Sequence, residues 1–352
     1  RRAVEDLVPL CRGREAAVDA GARGGRSGRR VVRQISEDDV RALALTPRAW
    51  REAVFAAYER YAGGRVRVAP KSHLRPSPGE LLLALPAVDL DRGYSACKWV
   101  NVVPAARTAG GPTVNSVLLL NDWRTGKPLA LIAADELTAA RTAAMSAIAA
   151  ARYARRDSDR IGFVGCGVQA RSHLAALRDV LPGLRHATVH GRRIEAARAF
   201  ADEMRATGIE ARATGDAREA VAGQHLVVTT VPNGLERPFL DPAWLGAGAF
   251  VAAVDLGRSW LRSGWPDSTR LVTDEREQAG ELGREGQLVS AGPFVADLAD
   301  IAAGRAAPPS DDEACTLFAF SGHGVADLAG AILIHEAARV LESRQPFDER
   351  SS

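Results

Sequence analysis

The stretch from Ile161 to Leu174 reads IGFVGCGVQARSHL, with Gly165, Gly167 and Ala170 at G-x-G-x-x-A spacing between an apolar run and the opening of a helix. In such a turn one small residue lets the chain bend, one lets backbone approach a pyrophosphate, and the third lets helix pack on strand. The helix N-terminus then offers unpaired N–H groups to phosphate, with Val168 and Gln169 next to the glycines. Alone, the string is equally a plain tight turn, so its surroundings decide. At about 20 to 26 residues beyond the glycines, NAD enzymes keep an acid for the ribose 2′-OH. Here that place holds HGRR, His190 to Arg193, and the acid is absent. Gly191 followed by Arg192 and Arg193 suits a 2′-phosphate, which predicts NADP over NAD; the alternative is a pair of solvated arginines. Thr230 and Pro232 in TTVP end a later apolar run, a common wall for a nicotinamide. Asp255 ends AFVAAVD, at the edge where open α/β sheets place their ligands. Lys98 follows the run YSAC and precedes Trp99, where desolvation would lower its pKa towards acid–base use. Otherwise it is a surface lysine at a strand end.

Other chemistries are poorly served. No histidine pair has metal-ligand spacing, and His335-Glu336 lacks the second histidine of a zinc helix, so no metal is expected. No G-x-S-x-G elbow accompanies the serines and histidines, which argues against a hydrolase triad. The four cysteines, Cys11, Cys97, Cys166 and Cys315, form no C-x-x-C pair, so neither a zinc site nor a disulfide framework is indicated and a reducing cytoplasm is the default. No run reaches the roughly 18 to 20 apolar residues of a membrane span. Net charge is +3, but the first 30 residues carry eight Arg against four acids, so the basic balance belongs to that tail. RGGRSGRR has neither apolar periodicity nor interleaved aromatics, which predicts a disordered tail over 1–30 and no nucleic-acid partner.

The elements that must position these residues fall into two patterns. VVRQIS reads as a short strand, with Ser36 capping the helix that follows, and Pro47 to Tyr61 as a helix with Trp50, Val54, Phe55 and Tyr58 as core. Residues 65–132 alternate short apolar runs with turns, as in a mixed or antiparallel sheet, with a hairpin at Asn121-Asp122 and Thr125-Gly126. Glu136 to Arg155 is a long alanine-rich helix whose small residues permit close packing. From Ile161 to about Val272 strand-like runs alternate with helices, including one near 216–222, in the rhythm of a parallel doubly wound sheet. The glycine turn lies on its first strand, which turns a weak motif into a prediction of dinucleotide binding. The apolar helix AGAILIHEAARVL returns to the first domain.

KWVN (Lys98 to Asn101), GGPTVNSVLLLNDWRTGKPLALI (Gly110 to Ile132), ELTAARTAA (Glu136 to Ala144), GFVGCGVQA (Gly162 to Ala170) and FAFSGHGVADLAGA (Phe318 to Ala331) together resemble the ornithine cyclodeaminase and mu-crystallin family, in family order. KSHLRP, KWVN and the closing GHGVADLA are most similar to the siderophore-pathway branch that contains N-(1-amino-1-carboxyl-2-ethyl)-glutamate dehydrogenase. The resemblance implies a homodimer and an α/β fold in which a Rossmann doubly wound parallel sheet, 156–315, is inserted in an α+β substrate and dimerisation domain, 31–155 plus 316–352. It also implies nicotinamide-dependent removal of hydride from Cα of an amino acid, or addition to its imine. Ornithine cyclodeaminases close a ring on that imine, and mu-crystallins use the fold as a ligand reservoir; both stand as alternatives.

Such chemistry needs a cationic clamp for a carboxylate, a proton carrier near the amine, and a carboxylate to steer the amine or a water. Arg141 in AARTAA can hold a carboxylate by two parallel hydrogen bonds, or else make an interdomain ion pair. The resemblance makes Arg75 in HLRP a second carboxylate ligand, the alternative being a solvated loop cation; Lys98 is read as the acid–base group, and Thr113, before the VNSVLLL strand, as a substrate contact. It places an aspartate after the AFVAAVD strand, but its Gly-Asp-x-Pro-Gly-Lys segment is replaced by VDLGRSW, so Asp255 aligns only across a gap. Arg258 pairs with Asp255 or meets a further substrate carboxylate. His323 in SGHG has room near a nicotinamide.

Overall fold

The computed structural model describes residues 32–77, 79–104, 106, 111, 113–232, 234–309 and 313–344, so the expectation for the tail 1–30 lies outside the described residues. The first domain opens with β1 (Arg33–Ile35), α1 (Glu37–Ala42), capped by Ser36 and Asp39 in reciprocal hydrogen bonds, and α2 (Pro47–Ala62), whose Thr46 cap accepts from the Ala49 N–H. β2 (Val66–Val68), β3 (Ser72–Leu74), β4 (Leu81–Asp89), β5 (Tyr94–Val102), β6 (Val114–Asp122) and β7 (Pro128–Ala133) complete a sheet ordered β1-β7-β6-β5-β4-β2, with β3 also on β4. All pairings are antiparallel except β1 with β7, so the sheet is mixed. Its period-2 pattern sends Ala87, Ala96, Leu118, Leu120, Ala130 and Ile132 into the core.

α3 (Asp135–Tyr153) leads out of this sheet, and the chain enters a second sheet of eight parallel strands: β8 (Arg160–Val164), β9 (His186–His190), β10 (Glu210–Thr214), β11 (Leu226–Thr229), β12 (Phe250–Ala253), β13 (Arg270–Thr273), β14 (Ala296–Asp297) and β15 (Thr316–Ala319). Their order is β10-β9-β8-β11-β12-β15-β13-β14, so the winding reverses between β8 and β11. An open sheet offers its ligand crevice at the carboxyl ends of such a pair of strands. Ile161, Phe163, Val227 and Val251 are buried, as strands covered on both faces require. α4 (Val168–Val180), α5 (Ile194–Ala206), α6 (Arg276–Arg284) and α7 (Leu298–Ala302) accompany the strands. α4 lies on α3, where Ala143, Ala147 and Ala176 form one buried cluster, so small side chains set the distance between domains.

α8 (Gly324–Arg344) returns from β15 to the first domain and packs on α2, α3, β4 and β5. Three details differ from expectation. Thr316 to Ala319 is hydrogen-bonded between β12 and β13 of the dinucleotide sheet, whereas a boundary at 316 would give it to the first domain. The chain near 216–222 makes only the 3-10 turn Arg218–Ala220. Phe55, one residue and about 100° round the helix from buried Val54, is 37% exposed and does not belong to the core.

Candidate active-site cleft

The glycine turn follows β8 and faces the end of β11 across the switch point. Gly165 has φ +111°, and a Cβ there would lie 2.3 Å from Thr230 Oγ1, so both backbone geometry and the close approach of the two strand ends demand glycine. Gly167 is different: its backbone is extended and a Cβ would meet nothing within 4 Å. It is the N-cap of α4, so no side chain caps the first N–H groups of the helix. Ala170 is fully buried and Val168 exposed. Arg171, which sequence reasoning missed, braces the turn by donating to the Cys166 and Gly167 carbonyls while gripping Glu203 through both ends of its guanidinium. Such a turn has the shape that a pyrophosphate would need. Buried Thr230 Oγ1 and Gln169 Oε1 have no partner among the described residues, which fits a cofactor that would supply one.

At the end of β9, a Cβ on Gly191 would come within 2.9 Å of Cys166 Sγ, so this loop lies against the glycine turn. Arg192 and Arg193 extend from it, exposed and without an ion pair among the described residues.

Beyond the cradle lies a cavity of about 540 Å³, whose walls come from both domains: Thr113 and Arg141 from the first, Gln169, Thr230, Pro232, Asp255 and Arg258 from the second. That volume suits a small-molecule site. Asp255 is buried with both oxygens engaged. Oδ1 accepts from Thr229 Oγ1 at 2.8 Å and the Gly257 N–H at 3.1 Å, and Oδ2 accepts from Ser259 Oγ at 2.6 Å. The carboxylate thereby ties β11 to the turn after β12, in which Leu256 holds φ 62°. Arg258 makes no ion pair with it; burial pushes its guanidinium below the usual value, and its Nε has no hydrogen-bond partner among the described residues.

Lys98 lies on β5, 2% exposed, below Arg141, which is 5% exposed. Both point at one acid, Asp327, in the first turn of α8. Its Oδ1 accepts a hydrogen bond from Lys98 Nζ at 2.8 Å and lies 2.8 Å from Arg141 Nε in an ion pair without hydrogen-bond geometry, and Thr138 Oγ1 accepts from the same ammonium at 3.5 Å. Burial drives Lys98 down to about 8, with Arg141 adding to the effect and Asp327 opposing it. Burial also pushes Asp327 up, but Arg141 and Lys98 outweigh it and hold the carboxyl below its usual range. The Arg141 guanidinium runs past Gly322, φ +83°, where a Cβ would sit 2.9 Å from Nη1; glycine leaves room for it. No expectation named Asp327. Its only signal was an acid in the first turn of an apolar helix, which reads as a complement to the helix dipole.

Arg75 and His323 do not line this cavity. They belong to a second one of about 380 Å³, which meets the first at Leu256 and Ser321. Arg75 is exposed and donates to Gln287 Oε1 at 3.3 Å. His323, expected beside the nicotinamide, packs against Tyr58 and Tyr61, with ring centroids 6.1 and 5.2 Å away, and burial lowers it to about 4. Lys71, also unforeseen, donates to the Ser321 carbonyl at 2.7 Å and to Ser321 Oγ at 3.0 Å. Burial brings it down to about 8 against the pull of Asp274. Among the described residues no group of three or more His, Cys, Asp or Glu side chains could hold a metal ion, and no helix is long and apolar enough to cross a membrane.

Comparison with known proteins gives the same cleft a lineage. The ornithine cyclodeaminase/mu-crystallin family profile matches residues 32–342. An alanine dehydrogenase from Archaeoglobus fulgidus is 31% identical over 86% of this chain and 94% of its own length. An N-((2S)-2-amino-2-carboxyethyl)-L-glutamate dehydrogenase from Staphylococcus aureus is 25% identical over 76% of this chain and 84% of its own. The solved structure of a Thermococcus litoralis Δ1-pyrroline-2-carboxylate reductase, in complex with NADH and L-proline, superimposes with TM-score 0.77 at 28% identity, over 88% of this chain and 98% of that one. The chain belongs to the ornithine cyclodeaminase/mu-crystallin family.

The open space at Gly167 makes a specific prediction. Gly167→Val fits the free protein, so its unfolding temperature in the absence of ligand is expected to match wild type. The side chain fills the space a pyrophosphate needs, and dinucleotide affinity measured by nicotinamide fluorescence should fall at least tenfold, about 1.4 kcal/mol. Wild-type affinity in that variant would refute the cradle.

Proposed function

We propose that this member of the family, an NAD(P)-dependent oxidoreductase, moves a hydride to or from the α-carbon of an amino acid or its imine, in the cleft between its two sheets. The observation that carries this reading is the cavity lined by Arg141 on one side and by Gln169, Thr230 and Pro232 on the other, with Lys98 buried behind that wall on the acid it shares with Arg141, Asp327. The nicotinamide, when bound, supplies or accepts the hydride; the chain does the rest. Arg141 presents its outer nitrogens to the α-carboxylate, with Thr113 as a neighbouring contact. Lys98 passes a proton to the nitrogen in its ammonium form and takes one in its amine form, and a value near 8 keeps both forms accessible around neutral pH. Arg258, with a free Nε, receives a further carboxylate of the substrate. Asp255, whose oxygens are all engaged, acts by holding the turn that carries Arg258.

A panel of amino acids, including alanine, ornithine, lysine and the glutamate–diaminopropionate adduct, assayed with NAD and NADP by nicotinamide absorbance, tests the reading. The expected result is turnover of at least one, reduced about a hundredfold or more in Lys98→Ala with dinucleotide affinity intact. No absorbance change with any amino acid, nor with cyclic imines in reverse, would leave a binding protein of the mu-crystallin kind. Proline formed from ornithine with no net change in the cofactor would mark a cyclodeaminase.

Two finer assignments go with this. NADP is the better fit, because Arg192 and Arg193 are exposed beside the glycine turn and His190 replaces the acid that would serve NAD. Arg192→Glu is expected to raise the KM for NADPH roughly tenfold, about 1.4 kcal/mol, and that for NADH little; equal changes would count against NADP. The chain also pairs with a second copy through the outer face of β4 to β7. Trp99, 46% exposed, lies between Ala84 and Val117, and Leu119 and Leu131 beside it are 37% and 38% exposed, an apolar patch of the kind that marks an interface. Light scattering of Trp99→Glu should report a monomer, and a dimer that persists would clear this face.

A further inference from the structure

The chain has three lysines, Lys71, Lys98 and Lys127, and its other 43 basic residues are arginine. Lysine is thus kept where arginine is the rule elsewhere, and two of the three, Lys71 and Lys98, stand beside the cleft. Arginine stays charged at any accessible pH, whereas a buried lysine can release its proton. Whether Lys98 does so depends on what surrounds it. From α3 it meets the Arg141 guanidinium and Thr138 Oγ1, from α8 the Asp327 carboxylate, and from the segment before β3 the charge of Lys71, itself steadied by Asp274. Tyr58 from α2 and His323 from the loop before α8 face Asp327 with neutral groups. Among the described residues Asp327 is thus the one anion in contact with Lys98; it shares the oxygen it gives Lys98 with Arg141, while its second oxygen, buried, has no hydrogen-bond partner there.

We propose that Asp327 is the positioning residue of this site: through one carboxylate oxygen it fixes the Lys98 ammonium and the Arg141 guanidinium relative to each other and keeps the Lys98 proton in place until the cleft is filled. Two fixed cations then meet a substrate carboxylate and its nitrogen from one side. Without the carboxylate, Lys98 faces burial and two neighbouring cations with nothing to offset them, and it loses its proton at lower pH.

The catalytic consequence rests on the function proposed above, but the test does not need turnover. Protein carrying [13Cε]lysine gives three methylene signals, and Lys98→Arg identifies the one from Lys98. In the wild type that signal is expected to titrate near pH 8. In Asp327→Asn, which keeps the shape and removes the charge, the midpoint should fall by about 1 unit or more, as for loss of an opposite charge in contact. Dinucleotide affinity should stay unchanged, and with an active substrate the pH limb governed by Lys98 should move down equally. A merely structural role would lower the unfolding temperature and leave the Lys98 midpoint where it was, and that result would overturn the proposal. Should Asp327→Asn fail to fold, Asp327→Glu serves: it keeps the charge, so the midpoint is expected to stay near the wild-type value while the KM for the amino acid rises as Arg141 is displaced. A midpoint in Asp327→Glu that falls by a unit or more would equally overturn it.

Discussion

One carboxylate oxygen, Asp327 Oδ1, joins three elements that lie far apart in sequence: β5 through Lys98, α3 through Arg141, and α8, which carries the acid itself. Burying three charges is a poor way to gain stability. Withdrawing each ion from water costs several kcal/mol, attraction between them roughly repays it, and removing one partner from such a group typically costs 3–5 kcal/mol, about as much as many single domains can lose. An apolar core at the same place would hold the three elements at least as well. The charges are therefore better understood as something the rest of the structure was shaped to accommodate. Gly322 leaves space for the guanidinium, the opening turn of α8 sets the acid where the helix dipole favours a negative charge, and the alanines of α3 bring the dinucleotide domain close enough to complete the cleft.

The topology explains how one chain builds a wall from each domain. β15 is the last strand to enter the dinucleotide sheet, yet it lies between β12 and β13, near the middle of the crevice edge. From its carboxyl end the chain needs only Phe320 to His323 to reach the start of α8, and Phe320, Ser321 and Gly322 line the cavity on the way. α4 opens at Gly167 on the same crevice. Two helix N-termini therefore flank the cleft, one beside the glycine cradle and the other carrying Asp327, and both favour anions nearby. Phosphates suit the first. At the second the acid is already built in, and it serves to hold cations for a carboxylate that arrives with the substrate.

Much of this was legible in the sequence, for identifiable reasons. The switch from scattered short strands to a strand–helix rhythm at residue 161 comes from period and length, which are local properties, and it gave the glycine turn its context. Arg141 and Lys98 were legible as cations in apolar surroundings. What stayed hidden depends on partners remote in sequence. TLFA at 316–319 is a short buried run that fits either domain until its neighbours, β12 and β13, are known. His323 has a glycine on either side and so reads as a loop residue near a cofactor, but the space beside it is taken by Tyr58 and Tyr61 from a helix at the other end of the chain. Asp255 was found for its place at the strand end, but a strand end does not reveal that Thr229, Gly257 and Ser259 already occupy its oxygens.

That occupancy separates the two acids of the cleft by task. Asp255 makes its three hydrogen bonds to neutral donors within its own sheet and turn, so its charge is spent on fixing the Leu256 turn. Asp327 makes its close contacts to two cations and leaves one oxygen unpaired. Counting charges near the cavity, Lys98, Arg141 and Arg258 stand against Asp327 and Asp255, one positive charge in excess. Arg141 and Lys98 share the single charge of Asp327, so the excess lies with them, while Arg258 lines the cavity near Asp255 without an ion pair to it. A simple amino acid, one carboxylate with one ammonium, carries no net charge and leaves that excess in place while Lys98 is an ammonium. A dicarboxylic amino acid, two carboxylates with one ammonium, cancels it. Charge balance thus favours a second carboxylate at Arg258, and a simple amino acid balances the cleft only with Lys98 in its amine form.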